Sequence, residues 1–172
     1  MKYLSILSAV LLICFSCQKQ TKTFTDAEIS IVPKPTQTII GEGSYSFSKN
    51  TTVLIEEEAQ KPAAKYLSDL FENAAGYALP FSETVEKASI ILMKDAGLEP
   101  EAYHLEVSPE KIIIKASDAA GYFYGVQTIR QLLPSNIEKK ANKEQDWILP
   151  SIVINDAPRF SWRGMHMDFS RH

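Results

Sequence analysis

The chain has 172 residues, of which 45% are hydrophobic and 23% are charged, a composition typical of one folded domain with a modest core. Its net charge of −3 comes from 18 basic and 21 acidic residues without a basic stripe, so nucleic acid is excluded as an expected partner. The two cysteines, Cys14 and Cys17, both lie near the N-terminus, which excludes cysteine nucleophiles and cysteine zinc sites from the rest of the chain.

The first 17 residues have the pattern of an export signal. Lys2 precedes an apolar run of roughly a dozen residues, too short to span a bilayer comfortably. Ser16 directly before Cys17 resembles the lipobox of bacterial lipoproteins, in which the signal is cleaved and the cysteine is lipidated. Cys14 departs from that pattern, because Leu is usual there, so a plain signal peptide is the alternative. We expect an exported bacterial lipoprotein, at the outer membrane or cell surface, with the periplasm as another possible location.

Residues 18–28 are rich in Lys, Thr and Gln and predict a flexible tether between this anchor and the folded part. Folding is expected to begin near residue 29, where prolines extend the motif Ile31-Val-Pro-Lys-Pro35. Gly41-Glu-Gly43 predicts a turn, and two β-rich runs follow at 44–48 and 51–55. Together these segments predict a small group of strands.

The middle of the chain predicts two helices and further strands. Apolar residues at helical spacing predict an amphipathic helix between 57 and 76, and again over 119–133 after the capping residues Ser117 and Asp118. The run 88–93 predicts a buried strand. Alternating residues predict a hairpin over 103–107 and 112–116, and polar composition predicts an exposed loop over 135–146.

The last predicted strand, 148–154, contains Pro150, which favours an edge position or a bulge. The fold class expected from these elements is α+β, a small sheet with two helices on one face, over residues 29–155.

Three segments of the chain have distinctive motifs: residues 31–35, the helical segment 118–133, and Asp156-Ala-Pro-Arg-Phe-Ser-Trp-Arg-Gly-Met-His-Met-Asp-Phe-Ser-Arg-His172. Together they resemble family 20 glycoside hydrolases, the β-N-acetylhexosaminidases. The first resembles the start of the accessory domain of these enzymes, the second the helix that closes it, and the third the opening of their catalytic barrel. Residues 156–172 are therefore expected to form the first strand of an incomplete TIM barrel, at the N-terminal end of a longer enzyme.

The resemblance implies an enzyme that hydrolyses terminal N-acetylhexosamine residues of glycans without a cofactor. Its mechanism is substrate-assisted retaining hydrolysis, in which a Glu protonates the glycosidic oxygen and an adjacent Asp orients the attacking acetamide. Adjacent acidic residues occur here only at Glu56-Glu57-Glu58, where a helix start predicts a solvated face. We therefore expect the catalytic pair beyond His172 and no activity from this chain alone.

One residue of the chain matches a sugar-binding position of the family. Arg171 is the Arg of the Ser-Arg-His motif, which the resemblance assigns to the hydroxyls of the terminal sugar. A planar guanidinium can donate in parallel to two neighbouring hydroxyls, as a lysine cannot. The alternative is a surface Arg paired with Asp168.

The neighbouring motif residues are expected to have structural roles. We predict ion pairing at the barrel entrance for Arg159, Arg163 and Asp168, and interdomain packing for Phe160 and Trp162. The three histidines lack the spacing of a zinc site, so no metal is expected. His104 is predicted to be solvated on a strand, and His172 to support the sugar pocket.

Two other functions stay open. One is a lipid-anchored, non-catalytic binding or scaffold domain. The other is a related glycosidase family that shares the accessory domain and acts on other hexosamine or glucuronate linkages.

Overall fold

The structure, a computed structural model, describes residues 24–25, 28–140 and 145–167. Single 3₁₀ turns at Glu58–Gln60 and Ser135–Glu138 accompany the regular elements. The helices and strands, in chain order, are β1 (Gln37–Ser46), β2 (Val53–Ile55), α1 (Lys61–Ala75), β3 (Ile90–Lys94), β4 (Tyr103–Val107), β5 (Ile112–Ala116), α2 (Ala119–Leu132) and β6 (Ile148–Asp156).

The strands form one mixed six-stranded sheet in the order β1-β6-β4-β5-β3-β2. The three strands β2, β3 and β5 are parallel, and α1 makes the crossover that a parallel β2–β3 pair requires. Strand β4 is antiparallel to both β5 and β6, and β1 is antiparallel to β6. This topology brings the end of β6 next to the start of β4, where Asp156 pairs with Tyr103.

Both helices cover one face of the sheet, as the sequence predicts. Leu67 and Phe71 of α1 and Tyr122 and Ile129 of α2 are fully buried in one cluster with the inward-facing strand residues. Those strand residues include Ile90, Leu92, Leu105, Ile112, Ile114, Leu149 and Ile154. The core therefore lies between the helices and the sheet, and it is built by the period-2 alternation of the strands.

The predicted helices and hairpin are confirmed, and their ends follow ordinary capping chemistry. Gly76 ends α1 in the left-handed conformation with a φ of 77°. Asp118 begins α2, and its Oδ1 accepts a hydrogen bond of 2.8 Å from the backbone N–H of Gly121. The hairpin of β4 and β5 closes through Ser108, whose backbone N–H donates to the carbonyl of Lys111.

The predicted turn at Gly41-Glu-Gly43 is wrong. Strand β1 runs through these residues, and the extra length is accommodated by a bulge between Ile40 and Ser44. Gly43 has a φ of 92°, which a glycine adopts without steric cost, so the strand bends here without reversing.

The predictions for the last strand were partly right. Strand β6 is an interior strand between β1 and β4, so the edge alternative is wrong. The bulge alternative is confirmed, because Pro150 pairs with Ser44 at the border of the irregular region of β1. A proline has no backbone N–H, and it is tolerated inside a sheet where the ladder is already interrupted.

The chain beyond β6 has no strand over residues 157–167. The predicted first barrel strand is thus absent from the part of this segment that the structure describes. A parallel barrel strand is stabilised by neighbours on both sides and by helices over it. Among the described residues, 157–167 pair with no strand, and Arg163 contacts Glu101 and Tyr124 instead.

Candidate functional site

The two predicted site residues, Arg171 and Cys17, lie outside the described residues, as do Asp168 and His172. The sugar-binding and lipidation assignments therefore stay predictions. Within the described part of the chain, no helix combines the length and apolarity needed to cross a bilayer. The segment that leads toward Arg171 is described as far as Met167, and its Arg163 contacts Glu101, before the start of β4, and Tyr124 of α2.

Arg163 fastens this segment to the domain. Its Nη2 donates to the Glu101 carboxylate and, over 3.2 Å, to the hydroxyl of Tyr124. Its Nη1 donates over 2.7 Å to the carbonyl of Phe160 within the segment itself. The hydrogen bond to Glu101 raises the pKa of the Arg163 guanidinium above its usual value, so the charge is held at every accessible pH.

The predicted ion pairing is thereby confirmed for Arg163, with Glu101 as its partner. Arg159 makes no ion pair with any described residue. Sequence reasoning missed both Glu101 and Tyr124. Glu101 belongs to no motif, and Tyr124 lies in the motif segment 118–133, whose pattern does not indicate a partner for it. The two residues are 62 and 39 positions away from Arg163 along the chain.

A groove of about 620 Å³ separates the segment from the sheet. Tyr103 lines it, and burial raises the pKa of this phenol to about 12. The Tyr103 hydroxyl is 2.6 Å from Oγ1 of Thr128, which places β4 and α2 in direct polar contact. The groove is also lined by the charged residues Lys34, Asp156 and Arg159 and by the apolar residues Pro158 and Phe160.

Several large apolar side chains of the segment are exposed. Trp162 is 87% exposed, Met165 83% and Phe160 72%. Single exposed apolar residues are common, whereas a contiguous set marks a surface that has a partner. The prediction that Phe160 and Trp162 pack between domains agrees with this exposure and stays a prediction.

The acidic run at 56–58 has a structural role at the start of the helical region. Glu56 accepts a hydrogen bond of 3.2 Å from the backbone N–H of Lys94, and Glu57 forms an ion pair of 3.2 Å with the Lys94 ammonium. Glu58 pairs with Lys61 at 3.3 Å. The predicted helix start is confirmed, but two of the three side chains bind strand β3 rather than forming a purely solvated face.

His104 is more enclosed than the sequence suggests. Its Nδ1 lies 2.7 Å from Oδ1 of Asn155, its cross-strand neighbour, and its Nε2 lies 3.9 Å from Glu106. The side chain is 22% exposed, so it is partly buried and keeps some contact with solvent, rather than being fully solvated. Among the described residues, no three His, Cys, Asp or Glu side chains are grouped closely enough to hold a metal ion.

Comparison with known proteins agrees with this architecture. The family model described as "Glycosyl hydrolase family 20, domain 2" matches residues 28–157. A β-hexosaminidase of Porphyromonas gingivalis is 31% identical over 170 residues, which are 94% of this chain and 22% of that protein. One from Vibrio furnissii is 27% identical, over 85% of this chain and 22% of that protein. The chain thus spans about a fifth of the length of these relatives.

Solved structures show the same fold. The Streptomyces plicatus N-acetyl-β-hexosaminidase superposes with a TM-score of 0.74 at 30% identity, over 85% of this chain and 30% of that one. The β-N-acetylhexosaminidase of Streptomyces coelicolor gives 0.73 at 33% identity, over 79% and 28% of the two chains. Because the family model matches residues 28–157, which are most of the chain, this chain belongs to glycosyl hydrolase family 20 and contains its domain 2.

Proposed function

We propose that this chain is the N-terminal part of an exported bacterial β-N-acetylhexosaminidase that removes terminal N-acetylhexosamine residues from glycans. The observation that carries the proposal is the family match over residues 28–157, followed directly by the motif that ends in Ser-Arg-His. The relatives are named β-hexosaminidases, and a Vibrio harveyi relative, an exo-β-N-acetylglucosaminidase, was solved in complex with N-acetylglucosamine.

The described residues supply the frame of such an enzyme and none of its acid–base chemistry. The only run of adjacent acidic residues in the described part of the chain is at 56–58. These side chains bind β3 and α1, and they lie about 100 residues before the segment at 157–167. We infer that the Glu that protonates the glycosidic oxygen and the Asp that orients the acetamide follow His172 in the complete enzyme. By itself this chain is then inactive.

Arg171 is the residue of this chain that we assign to substrate. A guanidinium donates two parallel hydrogen bonds, which suits a pair of neighbouring sugar hydroxyls better than a point charge does. The segment that presents it is fixed at Arg163 and carries exposed apolar side chains on the way. This arrangement supports a role at the border between domain 2 and the following part of the enzyme.

The test is hydrolysis of a chromogenic aryl N-acetyl-β-glucosaminide by two purified polypeptides, this chain from residue 18 and the product of the complete locus. We expect activity only in the longer protein. Arg171→Ala should lower kcat/KM about 10- to 100-fold, because a charge-assisted pair of hydrogen bonds is lost. Arg171→Lys should recover part of the loss.

Arg159→Ala is the matched control, because it removes the same charge from a residue without an ion-pair partner among the described residues. Activity of the 172-residue chain alone, or full activity of Arg171→Ala, would contradict the proposal. A locus product without any activity would favour the lipid-anchored binding or scaffold domain instead.

We also propose that Cys17 is lipidated and anchors the protein in a membrane. The support is the short apolar run after Lys2 and the small residue Ser16 before Cys17. In bacteria fed labelled palmitate, Cys17→Ser should abolish labelling and release the protein from the membrane fraction. Cys14→Ser is the matched control and should keep both. Labelling that survives Cys17→Ser would refute the anchor.

A further inference from the structure

Glu101 occupies an unusual backbone position directly before β4. Its φ is 65°, and among the described residues it is the one non-glycine residue with a positive φ. Residues other than Gly, Asn and Asp adopt this left-handed region rarely, and where they do the surrounding structure holds them there. The backbone N–H of Glu101 donates over 2.9 Å to Oδ2 of Asp118, the capping residue of α2.

The start of α2 holds Glu101 in this conformation through Asp118. Oδ1 of Asp118 accepts from the N–H of Gly121, so one carboxylate joins the helix start to Glu101. A Cβ on Gly121 would lie 2.3 Å from the carbonyl oxygen of Ala102. The helix therefore lies directly on the chain beside Glu101, and the direction of the Glu101 side chain is set by the fold rather than by a mobile loop.

The Glu101 side chain and the hydroxyl of Tyr124 in α2 together accept hydrogen bonds from Arg163. The hydroxyl of Tyr124 donates over 3.3 Å to the Glu101 carboxylate and accepts from Arg163 over 3.2 Å. The guanidinium of Arg163 thus meets two acceptors, one in the turn directly before β4 and one in α2. With its other terminal nitrogen it holds the carbonyl of Phe160, so the domain and the segment are joined through one side chain.

We propose that Glu101, assisted by Tyr124, is a positioning residue that fixes Arg163 and thereby sets the path of the chain toward Arg171. This proposal rests on the proposed function, because it takes Arg171 as the sugar ligand. Strand β6 ends at Asp156, 15 residues before Arg171, whereas Arg163 is only 8 residues before it. Arg163 is therefore about half as far along the chain from Arg171 as the end of β6 is.

The size of the effect follows from the ion pair that Glu101→Gln removes. A partly exposed ion pair shifts an equilibrium by a factor of up to about five. We therefore expect changes of about two- to fivefold when Glu101 loses its charge.

The first experiment is limited trypsin digestion of this chain, with cleavage after each basic residue followed by mass spectrometry. Glu101→Gln should raise the cleavage rate after Arg163 about two- to fivefold, and Tyr124→Phe should raise it less. Cleavage after Lys65 in α1 should stay constant. Glu99→Gln is the matched control, because it removes the same charge from the same loop at an exposed side chain.

Two results of this digestion would overturn the proposal. One is an unchanged cleavage rate after Arg163 in Glu101→Gln. The other is a rate after Lys65 that rises as much as the rate after Arg163, because Glu101 would then stabilise the whole domain rather than position one segment.

The second experiment separates binding from chemistry in the product of the complete locus. Glu101→Gln should raise KM for the aryl N-acetyl-β-glucosaminide about two- to fivefold with little change in kcat, and Glu99→Gln should change neither. An unchanged KM overturns the positioning role. A locus product without activity overturns the proposed function and the positioning of Arg171, while the digestion still decides whether Glu101 holds Arg163.

Discussion

Tyr103 shows how a single side chain joins the sheet, the helix and the groove. It is the first residue of β4, it pairs with Asp156, and its hydroxyl contacts Thr128 of α2. Burial is the main cause of its raised pKa of about 12, with the charge of Asp156 acting in the same direction and the hydrogen bond with Thr128 opposing it. The neutral phenol is thus part of the folded state.

This shift predicts a loss of stability at alkaline pH. The unfolded chain releases the Tyr103 proton near pH 10, whereas the folded protein keeps it until about pH 12. The folded state therefore binds more protons in this window, and the free energy of unfolding falls as the pH rises from 10 to 12, by up to about 2 kcal/mol. Below pH 10 the contribution is complete.

Urea unfolding of the wild type and of Tyr103→Phe at several pH values from 8 to 11.5 measures this effect. We expect a shallower decline above pH 10 in Tyr103→Phe. Burial also raises the pKa of Tyr77 and Tyr122, so both proteins keep part of the slope and the difference between them is the informative quantity. Identical slopes would show that the Tyr103 phenol is not protected by the fold.

At the scale of the elements, the packing of α2 on the sheet depends on two glycines. A Cβ on Gly121 would lie 2.3 Å from the Ala102 carbonyl oxygen, and one on Gly125 would lie 2.8 Å from Cγ2 of Ile114. Both distances are far below ordinary carbon contacts. The helix can therefore lie close to β4 and β5 because these two positions carry no side chain.

Gly121→Ala tests this close contact. Helix propensity favours Ala over Gly by about 1 kcal/mol, but overpacking against a backbone carbonyl costs about 1–3 kcal/mol. Since the obstructing atom is backbone and cannot rotate away, we expect a net loss of about 1–2 kcal/mol in the free energy of unfolding, measured by urea denaturation.

Gly97→Ala is the control for that substitution. The nearest atom to its added Cβ is the terminal Oδ1 of Asp95 at 3.2 Å, which can move. The free energy of unfolding should change by less than about 0.5 kcal/mol. A Gly121→Ala protein as stable as Gly97→Ala would mean that α2 does not lie as close to the sheet as described.

The element scale also shows where local patterns succeed and fail. Both helices and the β4–β5 hairpin were predictable, because their periodicity and caps are properties of neighbouring residues. The glycines of β1 predict a turn, but the structure has a bulge there. Glycines occur in both, and only the pairing of β1 with β6 decides between them. Pro150 correctly predicted a bulge, but the edge position that it also favoured is wrong, because β6 is an interior strand.

At the scale of the whole molecule, the segment after β6 exposes several apolar side chains. Phe160, Trp162 and Met165 are exposed on this segment, which Arg163 ties to Glu101 and Tyr124, and the chain covers 22% of the Porphyromonas gingivalis relative. The helices, in contrast, bury a continuous core against one face of the sheet. The described residues therefore combine one packed core with a segment whose apolar side chains are largely exposed.

The sequence alone determined the fold class, the two helices, the hairpin and the family, because periodicity, caps and short motifs are encoded in residues close together in the chain. Only the tertiary structure decided that β6 is an interior strand, that His104 binds Asn155, and that Glu101 is the partner of Arg163. These features join residues 51 and 62 positions apart. These contacts depend on the order of the strands in the sheet and on how the start of α2 packs against the loop before β4. Patterns among neighbouring residues do not contain that information.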